Sequence, residues 1–174
     1  VLDIADRANV ARPTFYMHYR DKEELLLESM KELYDELSKK LDIQEAIAMM
    51  EQGIAPDLIA FEHVAEHRAF YKIMLSSKGS VAFITGVQQY LTETNIEVIQ
   101  QCLPPGKQPQ VPVRVIASSL AGAEIGIISD WVLNDLPYTP EEMARMFHRL
   151  TAPGMFIALG LKVPGISMPE LEQA

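Results

Sequence analysis

Apolar positions along this chain recur at three- and four-residue intervals, and no stretch alternates with the period of two that a half-buried strand requires. The pattern predicts an all-α protein. Ile4, Ala5 and Ala8 share one side of a short helix from Val1 to Ala8, and Asn9 then supplies a residue tolerant of the left-handed geometry of a tight turn. A second short helix begins at Arg12, with Pro13 in its first turn, where a missing N–H costs little. Phe15 and Tyr19 are four apart and share its inner face. Asp21 and Glu24 have the spacing of a capping arrangement, so a third helix starts at Lys22. Leu26, Met30, Leu33 and Leu37 carry its apolar stripe as far as Leu41.

Gly53 and Pro56 interrupt the pattern, which divides the chain into a head with its connecting helix, residues 1–44, and a larger region, residues 45–174. Further helices are predicted over Asp57–His67, Arg68–Ser77, Ser80–Leu103, Pro112–Asn134 and Pro140–Ala152. Pro104 to Pro112 is a proline-rich exposed loop, and Pro153-Gly154 kinks or ends the last long helix. In Pro112–Asn134 small residues such as Ala117, Ser119, Gly122 and Gly126 permit close helix approach. Ile116, Leu120, Ile127 and Trp131 line one of its faces, and Ile128 and Val132 another. A helix apolar nearly all round must be covered on nearly all sides, which predicts a four-helix interface with Pro140–Ala152 and the same pair from a second subunit.

Composition narrows the setting. The chain has 174 residues, 48% of them apolar and 22% charged, enough for one sizeable domain with at most a small appendage. Its net charge of −9 argues against a broad nucleic-acid-binding surface, yet residues 1–22 sum to +1 and the remainder to −10, so a small local one is still allowed at the start. A single cysteine, Cys102, allows no internal disulfide and no cysteine-based zinc site, which fits a reducing cytoplasm. Val115 to Leu133 is the best membrane candidate, but Glu124 and Asp130 would each cost roughly 2.5–3.5 kcal/mol near a bilayer centre. The prediction is a core helix and no membrane partner.

The head has the residues of a DNA reader. Two short helices joined by a tight turn form a helix-turn-helix, whose second helix lies in the major groove. With Phe15 and Tyr19 turned inward, Arg12, Thr14, Met17 and His18 face outward or to the flanks. Arg12 suits a guanine edge or a phosphate; Tyr16 and His18 suit phosphate oxygens; Thr14 and Met17 offer methyl groups to thymine. Lys22 adds charge to a helix N-terminus that already favours an anion. Spacing alone also describes an amphipathic helix pair with a solvated polar face, because such motifs are short and degenerate.

The segment from Ile4 to Leu26, "IADRANVARPTFYMHYRDKEELL", resembles the DNA-binding signature of the TetR family of bacterial transcriptional regulators. Ile4, Ala5, Ala8, Val10, Tyr16, His18, Tyr19, Lys22, Glu23 and Leu25 fall in register with it. Asn9 stands where the family usually has Gly, and Ala11 where Ser often caps the recognition helix, a loss of about 1 kcal/mol. The resemblance implies a further helix of some twenty residues ahead of the motif, which a sequence beginning at Val1 does not contain. It also implies DNA contacts from Arg12, Pro13, Thr14, Tyr16, Met17, His18 and Lys22. Weaker similarity to the family's C-terminal domains lies in Phe61 to Leu75 and Gly126 to Phe147, and implies dimerisation and effector binding.

The expected function is therefore a ligand-responsive regulator, a repressor that binds a near-palindromic operator as a homodimer and is released by a small-molecule effector. No cofactor and no enzymatic activity are expected. Polar or aromatic groups set in apolar helices are the effector-binding candidates: His67, Tyr71, Tyr90, Glu124 and Trp131. Two alternatives stand beside this reading. "HVAEH", His63 to His67, has a zinc-peptidase spacing that places His63 and His67 on one helical face with Glu66 beside them, though no distant third ligand stands out. A helical protein-interaction module with an acidic surface is the other.

Overall fold

The computed structural model describes residues 1–38, 57–76 and 81–163, and among them the fold is helical with no strand. Its helices are α1 (Leu2–Arg7), α2 (Arg12–His18), α3 (Lys22–Ser38), α4 (Leu58–Glu66), α5 (Arg68–Met74), α6 (Val81–Cys102), α7 (Val113–Leu133) and α8 (Pro140–Ala158). The side chains of Leu33 and Leu37 lie outside the described residues, as do Leu41, Gly53, Pro56, Ser77, Ser80 and the expected boundary at 44/45.

Asn9 takes φ 53° at the α1–α2 turn, and the Val10 N–H closes that turn on the Ala5 carbonyl at 3.0 Å. Ala11, extended at φ −71° and ψ 145°, gives α2 no side-chain cap, as its missing hydroxyl predicts. At α3 the Glu24 N–H donates to Asp21 Oδ1 at 2.8 Å, one half of a capping box. The other half is diverted: Glu24 Oε2 accepts from the Arg20 N–H at 2.5 Å and Oε1 from Arg20 Nε at 3.0 Å, so its carboxylate ties down the incoming turn.

Behind the head, α6 and α7 form the most extensive helix pair, with α3 and α5 packed against them and α4 wedged between α7 and α8. Gly86 lets α3 approach α6, since a Cβ there would sit 2.6 Å from Leu27 Cδ2. Phe61 joins three helices, its ring edge-on to Trp131 at 5.6 Å and to Phe147 at 6.0 Å. Such pairs contribute about 0.5–1.5 kcal/mol beyond their buried area. The α7–α8 turn uses left-handed backbone at Asp135 (φ 62°) and Leu136 (φ 55°), held by the Leu136 N–H on the Trp131 carbonyl and by Lys72 Nζ, 2.6 Å from Asp135 Oδ1. Thr139 and Glu142 then close a complete capping box on α8.

Two expectations are corrected. The last helix does not end at Ala152; α8 runs through Pro153 to Ala158. Proline's fixed φ is compatible with a helix, and the acceptor it frees belongs to the exposed Arg149. Burial of Ala152 on one side and Leu159 on the other offsets the lost bond. On α7 the two supposed faces are one arc: Ile116, Ala117, Ala121, Ile128, Trp131 and Val132 are buried, while Leu120 and Ile127 are only half-buried. Its opposite flank is open, with Val115 57% exposed. A second, smaller core of Ile99, Ile116, Ala117 and Leu159 lies where α6, α7 and the end of α8 meet. There the Gln110 and Val111 N–H groups both donate to the Ala158 carbonyl, at 2.9 and 3.0 Å.

Candidate functional site

In the head, the buried Phe15 is the anchor. Its ring meets Tyr16 edge-on at 5.4 Å and Tyr19 at 5.7 Å. That fixes the rotation of α2. Arg12, Pro13, Tyr16, Met17 and His18 are exposed, Met17 by 80%, and Thr14 is half-buried at the flank. Arg12 and Tyr16, one turn apart, converge: the guanidinium carbon stands 5.6 Å from the ring centroid and Nη2 donates to the Tyr16 hydroxyl at 3.4 Å. An arginine so placed is directed before it meets a phosphate or a base edge. Lys22 is exposed at the start of α3, its Nζ 3.9 Å from Glu23 Oε1, an exposed pair too weak to sequester the ammonium. The surface is a compact patch of cation, hydroxyl, imidazole and thioether on one short helix and the next helix's first turn.

A second candidate lies inside the larger region. A partly open cavity is walled by α3 to α7 and lined by Met30, Ala60, His63, Tyr71, Phe83 and Glu124 among apolar neighbours. Of the five residues singled out in the sequence, Tyr71 and Glu124 come together here. The Tyr71 hydroxyl lies 3.8 Å from Met30 Sδ, and the phenol is held above its ordinary pKa, by burial first and by the negative charge of Glu124 second. The cavity volume is about 30 Å³, room for a water or two, so any larger guest must displace side chains.

The other three residues lie outside this lining. Trp131 is core, packed on Phe61 with its indole N–H on the Tyr138 carbonyl at 3.0 Å. Tyr90 donates its hydroxyl to Asp35 across the α3–α6 contact. His67 is exposed, its ring centroid 4.3 Å from that of His63. His63 does line the cavity, though the sequence marked it only for the zinc-peptidase spacing. Among the described residues no group of three His, Cys, Asp or Glu is arranged to hold a metal. Met30 and Phe83 were missed as lining residues because apolar side chains at helical spacing carry no signal separating a cavity wall from a filled core.

A third feature is an open groove of about 580 Å³ between α7 and α8, lined by Val115, Ser119, Ala123, Gly126, Leu150 and Gly154 among others. Leu150 is 72% exposed on its rim. It is larger and more open than the α3–α7 cavity, and its lining mixes small residues with apolar side chains.

Comparison with known proteins bears on both ends of the chain. Residues 58–152, more than half of it, match the family model described as a transcriptional regulator C-terminal region. Residues 1–29 match bacterial regulatory proteins of the tetR family. No curated protein matches the chain.

Proposed function

The chain belongs to the TetR family of bacterial regulatory proteins and is a DNA-binding transcriptional regulator; from that premise we propose that it is a repressor, acting as a homodimer and released from its operator by a small molecule in the α3–α7 cavity. The observation that carries the DNA contacts is the rotation of α2. With Phe15 buried, Arg12, Tyr16, Met17 and His18 are presented together. The open flank of α7 beside α8 is the surface for a second copy, because its small residues admit close helix approach and its apolar rim needs covering. Two copies would set their reading helices about 34–36 Å apart, in successive major grooves of a near-palindromic site.

Release follows from Met30. It sits on α3, the helix that leaves the head at Lys22, and its sulfur faces Tyr71 in the cavity wall. A guest too large for 30 Å³ must push on that side chain. α3 is then biased toward a position that no longer fits the operator spacing.

The test starts from operator DNA recovered by selection from random duplexes with the complete protein. Replacing Tyr16 and Lys22 together with Ala abolishes operator binding at fixed salt while the dimer persists. Unchanged affinity overturns the assignment. Lys22→Ala alone weakens binding to all sequences alike and lowers the salt slope by about one per subunit, about two for the dimer.

A further inference from the structure

Tyr16 engages the guanidinium of Arg12 in two ways at once: Nη2 donates to the phenol oxygen at 3.4 Å, and the guanidinium carbon stands 5.6 Å from the ring centroid. The ring that receives it is itself held. Tyr16 meets Phe15 edge-on, at 5.4 Å and 85° between planes, and Phe15 is buried in the head. Support therefore runs outward from the core, from Phe15 to Tyr16 to Arg12. No carboxylate of α2 takes part, since that helix contains neither Asp nor Glu. Arg20 makes the contrast: its Nε and its backbone N–H both go to Glu24, so its charge already has an acidic partner. A phenol aims the Arg12 fork without cancelling its charge and leaves the rest of its N–H donors for DNA.

Arg12 is the first residue of α2, and in a helix-turn-helix the opening residues of the second helix reach base edges. An arginine there matches the O6 and N7 acceptors of guanine with a bidentate pair, which depends on direction. A long side chain loses rotamer freedom when it docks, and one already directed loses less. We infer that Tyr16 is a positioning residue: its hydroxyl and ring together hold Arg12 in the pose that reads a guanine in the major groove of each half-site. The inference rests on α2 being the reading helix, and it gives Tyr16 a share in sequence recognition besides any phosphate contact of its own.

The complete protein is titrated by fluorescence anisotropy, at fixed salt, with its selected operator and with duplexes in which one guanine of one half-site is replaced by 7-deazaguanine. That base keeps its pairing and lacks the N7 acceptor. At the guanine read by Arg12 the replacement weakens binding about tenfold, equivalent to about 1.4 kcal/mol. Arg12→Ala removes that penalty. Tyr16→Ala lowers it to about threefold or less with Arg12 still in place. The penalty is a ratio of two affinities of one protein, so a lost phosphate contact or a loss of folded protein common to both duplexes cancels. Tyr16→Phe keeps the ring and drops the acceptor; its penalty falls between those of the parent and Tyr16→Ala, and it serves alone if the alanine variant binds no duplex. A full penalty in either Tyr16 variant overturns the inference, as does the absence of any guanine whose replacement costs affinity through Arg12. Those results leave α2 as the reading helix. Operator binding indifferent to replacing Tyr16 and Lys22 together refutes that reading itself.

Discussion

The hydroxyl of Tyr71 and the sulfur of Met30, 41 residues apart in sequence, meet at 3.8 Å and bridge α5 and α3. The thioether is a weak acceptor, but it receives the hydroxyl of a buried phenol, so the two groups form a unit. Met30→Leu conserves volume and still costs about 1–2 kcal/mol, because it strips the phenol of that acceptor. Adding Tyr71→Phe recovers most of the loss. Chemical denaturation of both single variants and the double variant measures the coupling, and strictly additive losses refute the pairing.

Tyr90 and Asp35 tie α3 to α6 at a second point. Burial, followed by the bond to Asp35, pushes the Tyr90 phenol up to about 12 from an ordinary value of 10. A raised folded-state pKa means that the stabilisation is complete below pH 10 and is lost as pH rises through about 12. Tyr90 is half-exposed, so the contribution is about 1 kcal/mol or less. The difference in stability between the parent and Tyr90→Phe shrinks across that window. A difference independent of pH contradicts the assignment.

Gly86 marks a close approach of α3 to α6. An alanine there gains about 1 kcal/mol of helix propensity but brings its Cβ to 2.6 Å from Leu27 Cδ2. Overpacking of this kind costs about 1–3 kcal/mol, so Gly86→Ala is neutral to destabilising, by up to about 2 kcal/mol. In a Leu27→Ala background the same change becomes stabilising. Thermal melts of the four proteins in the cycle give the sign directly.

Leu150→Glu places a carboxylate on the rim of the α7–α8 groove, where 72% of the leucine is exposed within one chain. For an isolated subunit such a change is worth within about 0.5 kcal/mol. In a dimer that buries the groove it leaves an uncompensated charge at the contact and shifts the mass to that of a monomer. Light scattering after size exclusion reads the outcome, and a dimer that survives the change moves the interface elsewhere.

Helix periods, the Asn9 turn, the Asp21 cap and the outward set of α2 were legible in the sequence because each depends on residues within one or two turns. The continuation of α8 was not. Pro153-Gly154 is local punctuation for an ending, and what overrides it is Leu159 packing against Ile99 and Ile116, contacts made with distant parts of the chain. The same limit governed the cavity. Glu124 and Tyr71 stood out as polar groups in apolar helices, whereas Trp131 fits that description equally and finds its partner in the Tyr138 carbonyl, beyond the end of its own helix. Sequence marks a buried polar group; only the fold says what satisfies it.

The end of α8 has one more consequence. The Ala158 carbonyl receives both Gln110 and Val111, and Leu159 fills the small core beneath them, so the last turn of α8 works as a clasp for the proline-rich loop between α6 and α7. Similarity to the regulator family stops at Ala152, one turn and a half short of that clasp. A protein cut where the similarity stops would keep every matched residue and lose the fastening. The stretch that matches and the stretch that closes the fold have different ends.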